Sequence, residues 1–171
     1  MSPFRWESRV YWEDTDGGGI VYYANYLRFL ERARTEWLRS LGHSQRALAE
    51  EPGIVFAVVS LNIEYRKPAR LDDELLITCE PKVEGAATIV FAQRIYRRDG
   101  GTPLQGPMKG PMNGDGPDSL LLVEASARVA CLDARTLRPK RLPAFLADAA
   151  FLTDVERLAA AGSGANIKEP S

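Results

Sequence analysis

Residues 10–42 carry the strongest structural signal in the chain and read VYWEDTDGGGIVYYANYLRFLERARTEWLRSLG. Apolar side chains recur in the second half of this stretch at steps of four, three, four and four, at Tyr26, Leu30, Ala33, Trp37 and Leu41. That spacing predicts one long amphipathic helix with a single apolar stripe. Charged residues occupy its other side, and Gly42 is the predicted stop. A helix with one apolar face must pack against another layer.

The residues before the helix predict a strand that ends in a loop. Residues 8–13 are rich in β-formers, and the strand should break at residues 14–19, Asp-Thr-Asp-Gly-Gly-Gly. Three consecutive glycines allow left-handed or crowded backbone conformations. Two carboxylates, Asp14 and Asp16, are therefore expected in a loop between a strand and the long helix.

The second half of the chain reads as strands. Val59, Leu61, Ile63 and Tyr65 alternate with polar residues, which is typical of a half-buried strand. Long strands joined by short turns favour antiparallel pairing, because parallel pairs would need crossover helices. The chain therefore predicts an α+β fold in which a five-stranded antiparallel sheet wraps one central helix. The other strands are expected at residues 74–83, 87–98 and 119–132, with a hairpin turn at residues 84–86.

Two segments are expected outside this core. Residues 1–143 should form one domain, interrupted by residues 100–118, which contain six Gly and four Pro and predict an inserted loop. Residues 144–171 predict a weakly helical extension with a disordered tail. Within the extension, Thr153 and Glu156 are spaced as a capping box.

Composition excludes several classes of protein. The chain has 22 Lys and Arg against 23 Asp and Glu, with no basic blocks, which argues against a nucleic-acid binder. No stretch approaches the 20 or so apolar residues of a membrane-spanning helix. Cys79 and Cys131 fall in apolar stretches and are interpreted as core residues of a protein in a reducing compartment. We expect a soluble, cytoplasmic protein.

The sequence offers few candidate catalytic side chains. His43 is the single histidine, and its place after the helix end suggests a solvated turn residue rather than a member of a catalytic triad. Any catalysis should then rest on a carboxylate and backbone donors. Asp14 and Asp16 precede a helix start, whose unpaired N–H groups could polarise a carbonyl. The alternative is that both aspartates only cap a turn.

Residues 10–34 resemble the signature of hotdog-fold acyl-CoA thioesterases, the 4-hydroxybenzoyl-CoA thioesterase family, and most closely its YbgC-type branch, which is associated with the bacterial Tol–Pal system. Residues 35–42 and 65–75 extend the resemblance, which covers roughly residues 5–98 and 119–143. It implies that Asp16 is the catalytic carboxylate and that the backbone N–H of Tyr23 polarises the substrate carbonyl. The supporting positions it implies are Asp14, Gly19 and Asn25.

The resemblance also implies the reaction and the partners. The reaction would be hydrolysis of an acyl-CoA to a free acid and CoA, without a metal or other cofactor, and Asp16 would be either nucleophile or general base. A homodimer or homotetramer with active sites between subunits is implied. An acyl carrier protein or Tol–Pal-linked proteins would be further partners. A non-catalytic scaffold on the same fold and a hotdog dehydratase are the alternatives, but the dehydratase should need an Asp–His pair.

This chain departs from the family at two places. Many YbgC-type members carry His at the position of Tyr23, although the backbone amide remains. The hydroxybenzoyl enzyme has a basic cluster at the hairpin that holds the CoA phosphates, whereas residues 84–87 here read Glu-Gly-Ala-Ala. The phosphates would then have to meet other cations, and the alternative for each cation is a solvated surface charge. The candidates are Arg66, Lys67, Arg70 and Lys82.

Overall fold

The computed structural model describes residues 3–98 and 119–149, in which five strands form one antiparallel sheet of order β1-β3-β4-β5-β2. This arrangement confirms the predicted α+β class. Short 3-10 turns lie at Trp12–Asp14 and Tyr23–Asn25. The longer elements are β1 (Phe4–Arg9), α1 (Tyr26–Ser40), α2 (Gln45–Glu50), β2 (Ile54–Tyr65), β3 (Glu74–Val83), β4 (Thr88–Arg98) and β5 (Ser119–Asp133).

Helix α1 lies against the sheet through the predicted stripe. Tyr26, Leu30, Ala33 and Trp37 are buried, and the helix packs mainly over β1 and β3. Burying a large apolar side chain contributes about 1.5–3 kcal/mol, so this one face accounts for much of the helix stability. Gly42 ends the helix region with a φ of +85°, a conformation that favours glycine.

Strand β2 is where the predicted burial was wrong. Val59 is 57% exposed and Tyr65 is 45% exposed, whereas Ile63 is partly buried and packs against the core. The reason is that β2 forms an edge of the sheet, paired only with β5, and its register shifts between Val58 and Ser60. Helix α1 packs mainly over β1 and β3, at the other end of the sheet, so most apolar positions of β2 stay on the surface.

The first strand ends earlier than residues 8–13 predict. The chain leaves the sheet after Arg9, and residues 12–14 form a 3-10 turn instead. The Asp14 carboxylate accepts a hydrogen bond from the Tyr11 N–H at 2.9 Å. Such a side-chain bond offers the backbone an alternative to strand pairing.

His43 is also placed differently from the prediction. It is half-buried and its ring stacks on Phe145, with ring centroids 3.7 Å apart. Residues 144–149 are helical and bring Phe145 to that position, so a contact between distant segments covers the histidine.

The cysteine prediction is confirmed, because Cys79 and Cys131 are both buried and free. The predicted inserted loop at residues 100–118, the capping box at Thr153 and Glu156 and the predicted tail lie outside the described residues. Within the described part of the chain, no helix is both long enough and apolar enough to span a membrane.

Candidate active site

The predicted acidic loop is a tight hairpin between the two 3-10 turns. The Asp16 N–H donates to the Ile20 carbonyl and the Gly19 N–H donates to the Asp16 carbonyl, each at 3.0 Å. Gly19 has a φ of +73°, in the left-handed region that disfavours side chains. The glycine run thus closes a turn that holds Asp16 on the surface, next to the start of α1.

The Asp16 carboxylate is oriented by one bond and otherwise open. Its Oδ1 accepts a hydrogen bond from the Gly18 N–H at 2.7 Å, and a Cβ on Gly18 would lie only 3.0 Å from that oxygen. No hydrogen bond within the described residues uses Oδ2 of this exposed side chain. One oxygen therefore fixes the direction of the carboxylate and the other is available for chemistry.

Asp14 has a different environment from Asp16. It is buried, with 2% of its surface exposed, and its carboxylate accepts the Tyr11 N–H. Its main-chain carbonyl accepts two more hydrogen bonds at 3.0 Å, from the Tyr22 N–H and from the Asn25 side chain. Asp14 and Asn25 therefore hold the loop in place.

The Tyr23 N–H opens the second 3-10 turn and is unpaired in the described part of the chain. The carbonyl of the same peptide group belongs to Tyr22, and it accepts the Asn25 N–H at 2.8 Å. Hydrogen bonding at one end of a peptide group strengthens the donor at its other end. Tyr23 thus presents a polarised N–H that is free to bind an acceptor.

Asp16 and Tyr23 line one open cleft of about 410 Å³. Its walls come from the acidic loop, from the start of α1 and from the end of β2 with the residues that follow. The structure therefore brings together the predicted carboxylate, the predicted amide and two of the four predicted phosphate ligands. The lining residues that bear on function are Asp16, Tyr22, Tyr23, Tyr65, Arg66 and Lys67.

The two cations of the cleft differ in their partners. Arg66 forms ion pairs with Glu64 and Glu124, and the hydrogen bond that its guanidinium donates to Glu124 raises the pKa of the guanidinium. The Lys67 ammonium has no ion pair or hydrogen bond in the described part of the chain, and the side chain is exposed. Lys67 is thus the cation of the cleft that is left free for a ligand.

The other two predicted cations do not line the cleft. Arg70 borders it, because Arg70 forms an isolated β-bridge with the lining residue Ile20, and its main-chain N–H donates to the Asp73 carboxylate at 2.8 Å. Lys82 lies near the far end of β3. At about 3.3 Å per residue, it is about 26 Å along the strand from Glu74, where β3 begins.

The sequence did not predict three residues at or next to the cleft as site residues, namely Gly18, Tyr22 and Tyr65. The alternation of the strand predicts Tyr65 only as an apolar position, and no neighbouring residue in the sequence marks it as a site residue. The side-chain hydrogen bond with Tyr23 raises the pKa of Tyr22, and the nearby Asp16 charge raises it further. The Tyr22 phenol therefore stays protonated at neutral pH.

No group of three or more His, Cys, Asp or Glu side chains among the described residues could hold a metal ion.

A long helix against a five-stranded antiparallel sheet, with an acidic loop entering the helix, defines a hotdog-fold protein. The Thioesterase superfamily model matches residues 18–104. The chain is 40% identical to acyl-CoA thioesterase YbgC of Haemophilus influenzae over 140 residues, covering 82% of this chain and 88% of the relative. This chain belongs to the Thioesterase superfamily.

Two further comparisons agree with this assignment. Acyl-CoA thioester hydrolase YbgC of Escherichia coli O6:H1 is 41% identical over 82% of this chain and 90% of its own length. A crystal structure of a 4-hydroxybenzoyl CoA thioesterase mutant, complexed with 4-hydroxybenzoyl CoA, is 26% identical with a TM-score of 0.68. That match covers 84% of this chain and 95% of the other.

Proposed function

We propose that the cleft between Asp16 and Tyr23 is where this chain hydrolyses acyl-CoA thioesters to a free carboxylic acid and CoA. The chain is an acyl-CoA thioester hydrolase, the activity after which its YbgC relatives are named. The observation that supports this cleft is that an exposed carboxylate with a free oxygen and an unpaired backbone N–H line the same space.

The Tyr23 N–H would donate a hydrogen bond to the carbonyl oxygen of the thioester. Negative charge develops on that oxygen as the carbonyl carbon becomes tetrahedral, and a fixed donor stabilises the charge without rearrangement. Losing one such donor typically costs a factor on the order of 10²–10³ in rate. The adjoining hydrogen bonds of Tyr22 and Asn25 fix this donor before substrate arrives.

Asp16 would act by one of two routes. As a nucleophile, its free oxygen attacks the carbonyl carbon, the C–S bond breaks, and CoA leaves as the thiolate; water then hydrolyses the resulting anhydride. As a general base, it takes a proton from a water molecule that attacks the same carbon, and CoA leaves in the same way. Both routes yield the acid and CoA.

Lys67 would bind the phosphates of the CoA nucleotide. It lies in the cleft and its charge is free, whereas the charge of Arg66 is already shared with two carboxylates. An ammonium group is a point charge suited to phosphate oxygens. Arg66 would contribute less, Arg70 borders the cleft without lining it, and Lys82 would contribute only if another subunit placed it near the nucleotide.

The surface of β2 supports a homo-oligomer. An edge strand with unpaired backbone groups is a ready site for pairing with another chain, and apolar side chains on it favour such pairing. Val58 and Val59 are more than half exposed on this edge, and Leu61 is 38% exposed. Tyr65 ends the same strand and lines the cleft, so a second copy paired with β2 would border the active site. We infer a homodimer or homotetramer.

The cysteines bear on the cellular compartment of the protein. Two free, buried thiols suit a reducing compartment, which supports a cytoplasmic protein. The family resemblance adds an acyl carrier protein or Tol–Pal-linked proteins as partners, and these stay predictions.

A panel of acyl-CoAs tests the proposed activity. Straight-chain and aromatic acyl-CoAs are incubated with the full chain, and CoA release is followed with a thiol reagent. Release above the uncatalysed rate, for at least one acyl group, is the expected result. A well-folded protein that releases CoA from none of them would favour the scaffold alternative instead.

A further inference from the structure

We propose that Tyr65 is a positioning residue for catalysis, whose hydroxyl group fixes the peptide group that follows Tyr23 and so limits movement of the Tyr23 N–H. This inference rests on the proposed role of that N–H and adds a residue to it. Tyr65 belongs to a different element from Tyr23, because it is the last residue of β2. Its role would be to tie the turn before α1 to the edge of the sheet.

The central contact is one hydrogen bond. The Tyr65 hydroxyl donates to the main-chain carbonyl of Tyr23 at 3.1 Å, across 42 residues of sequence. Tyr23 is therefore bonded at its carbonyl, while its own N–H stays unpaired.

The ring of Tyr65 is itself held in place. It packs on the ring of Tyr26 with centroids 5.7 Å apart and meets the Tyr23 ring edge-on at 6.4 Å. Tyr26 is itself held in a fixed position, because it is buried and its hydroxyl accepts the Ala69 N–H at 2.8 Å. Aromatic pairs in such geometry add about 0.5–1.5 kcal/mol beyond burial. The hydroxyl is thus aimed at the Tyr23 carbonyl by a fixed ring.

The bond matters because the other restraints on this turn are local. The Tyr22 N–H bonds to the Asp14 carbonyl, and the Asn25 N–H bonds to the Tyr22 carbonyl. Both act on the side of Tyr23 that carries the N–H. The Tyr65 hydroxyl adds a bond from a distant element to the carbonyl side of Tyr23. Fixing both sides limits rotation of the donor, and preorganised donors are the ones that stabilise a developing oxyanion.

The test compares Tyr65→Phe with the unaltered enzyme in steady-state kinetics. The phenylalanine keeps the ring and removes only the hydroxyl. Loss of this neutral hydrogen bond should lower kcat about three- to tenfold and change KM less than about twofold. Tyr11→Phe is the matched control, because Tyr11 is 62% exposed and does not line the cleft. It should leave both constants unchanged.

Two further measurements separate positioning from packing. In Tyr65→Phe, the carbonyl carbon resonance of Tyr23 should move upfield as it loses its hydrogen bond, while the melting temperature changes little. Tyr65→Leu removes hydroxyl and ring together and should lose at least as much kcat. If Tyr65→Leu loses activity and Tyr65→Phe keeps it, only the ring matters and the proposal is wrong.

Failure of this inference is distinguishable from failure of the proposed function. If Asp16→Asn abolishes turnover while Tyr65→Phe matches the unaltered enzyme in kcat, only the role of Tyr65 is lost. If Asp16→Asn keeps full turnover, the cleft itself is not the catalytic site.

Discussion

The side-chain amide of Asn25 donates a 3.0 Å hydrogen bond to the main-chain carbonyl of Asp14, across eleven residues. The Tyr22 N–H donates to the same carbonyl at 3.0 Å. These two bonds close the acidic loop onto the start of α1, and they use the buried aspartate rather than the exposed one. Asp14 and Asn25 therefore hold the loop, whereas Asp16 and Tyr23 line the open cleft.

Replacing Asp16 with Asn should lower kcat at least about a hundredfold, because the amide is neither a base nor a nucleophile of comparable strength. Asp16 is exposed and bonded only to Gly18, so the fold should persist. The measurements are CoA release and circular dichroism on the same sample. An unchanged rate in a folded variant would remove Asp16 from the mechanism.

Replacing Asp14 should act mainly on stability. Asp14→Ala leaves the Tyr11 N–H without its acceptor and should lower the free energy of unfolding by about 1–2 kcal/mol. Asp16→Ala is the matched control and should change it by less than about 0.5 kcal/mol. Urea unfolding measures both. Asp14→Asn should also reduce kcat less than Asp16→Asn does, and the reverse order would exchange the roles assigned to the two aspartates.

Removing the Lys67 charge should weaken binding of the CoA nucleotide. Lys67→Ala should raise KM for an acyl-CoA about three- to tenfold, in line with about 1 kcal/mol for a partly exposed phosphate contact. KM for the corresponding acyl-pantetheine, which lacks the nucleotide, should stay the same. Arg46→Ala is the control, since Arg46 lies on α2, is exposed and does not line the cleft. Equal increases for both substrates would contradict a phosphate contact.

Placing a charge on β2 should disrupt the oligomer. A lysine on an edge strand opposes pairing with another chain, so Leu61→Lys should shift the protein towards monomer in analytical ultracentrifugation. Leu137→Lys provides the comparison, because Leu137 is 63% exposed and lies outside the strands. The proposed oligomer would be refuted if the unaltered protein sedimented as a monomer at all concentrations tested.

Asp133 should make stability depend on pH in the acid range. The N–H groups of Thr136 and Arg135, with the Lys140 ammonium, lower the pKa of Asp133 to about 2. Its unfolded pKa is near 3.9, so its stabilising effect is complete above about pH 4 and is lost as pH falls towards 2. Urea midpoints of the unaltered protein and of Asp133→Asn should therefore converge between pH 4 and 2. A constant difference over that range would contradict this assignment.

Local sequence signals predicted the elements well. The stripe from Tyr26 to Trp37 is buried as its spacing predicts, and the strand at Glu74–Val83 has the predicted bounds. The glycine run predicted a tight turn, and Gly19 provides its left-handed residue. These features depend on residues that are close in sequence, so periodicity and backbone preference suffice to find them.

Residue spacing and local preference did not predict the contacts between distant segments. The alternation of β2 predicts a half-buried strand, but burial depends on which strands of the sheet α1 covers. The stacking of His43 on Phe145 joins two segments that follow different elements. Which of the four candidate cations lies in the cleft depends on where each strand ends in the folded protein, and that places Lys67 there and Lys82 away from it.

The sequence alone determines that this chain forms a long helix, an antiparallel sheet and an acidic glycine loop between them, because each follows from the spacing of neighbouring residues. Only the tertiary structure decides that Asp14 is buried while Asp16 faces a cleft, and that the Tyr65 hydroxyl reaches the Tyr23 carbonyl. Those relationships depend on how β2 and the loop pack beside α1, and no local preference specifies that packing.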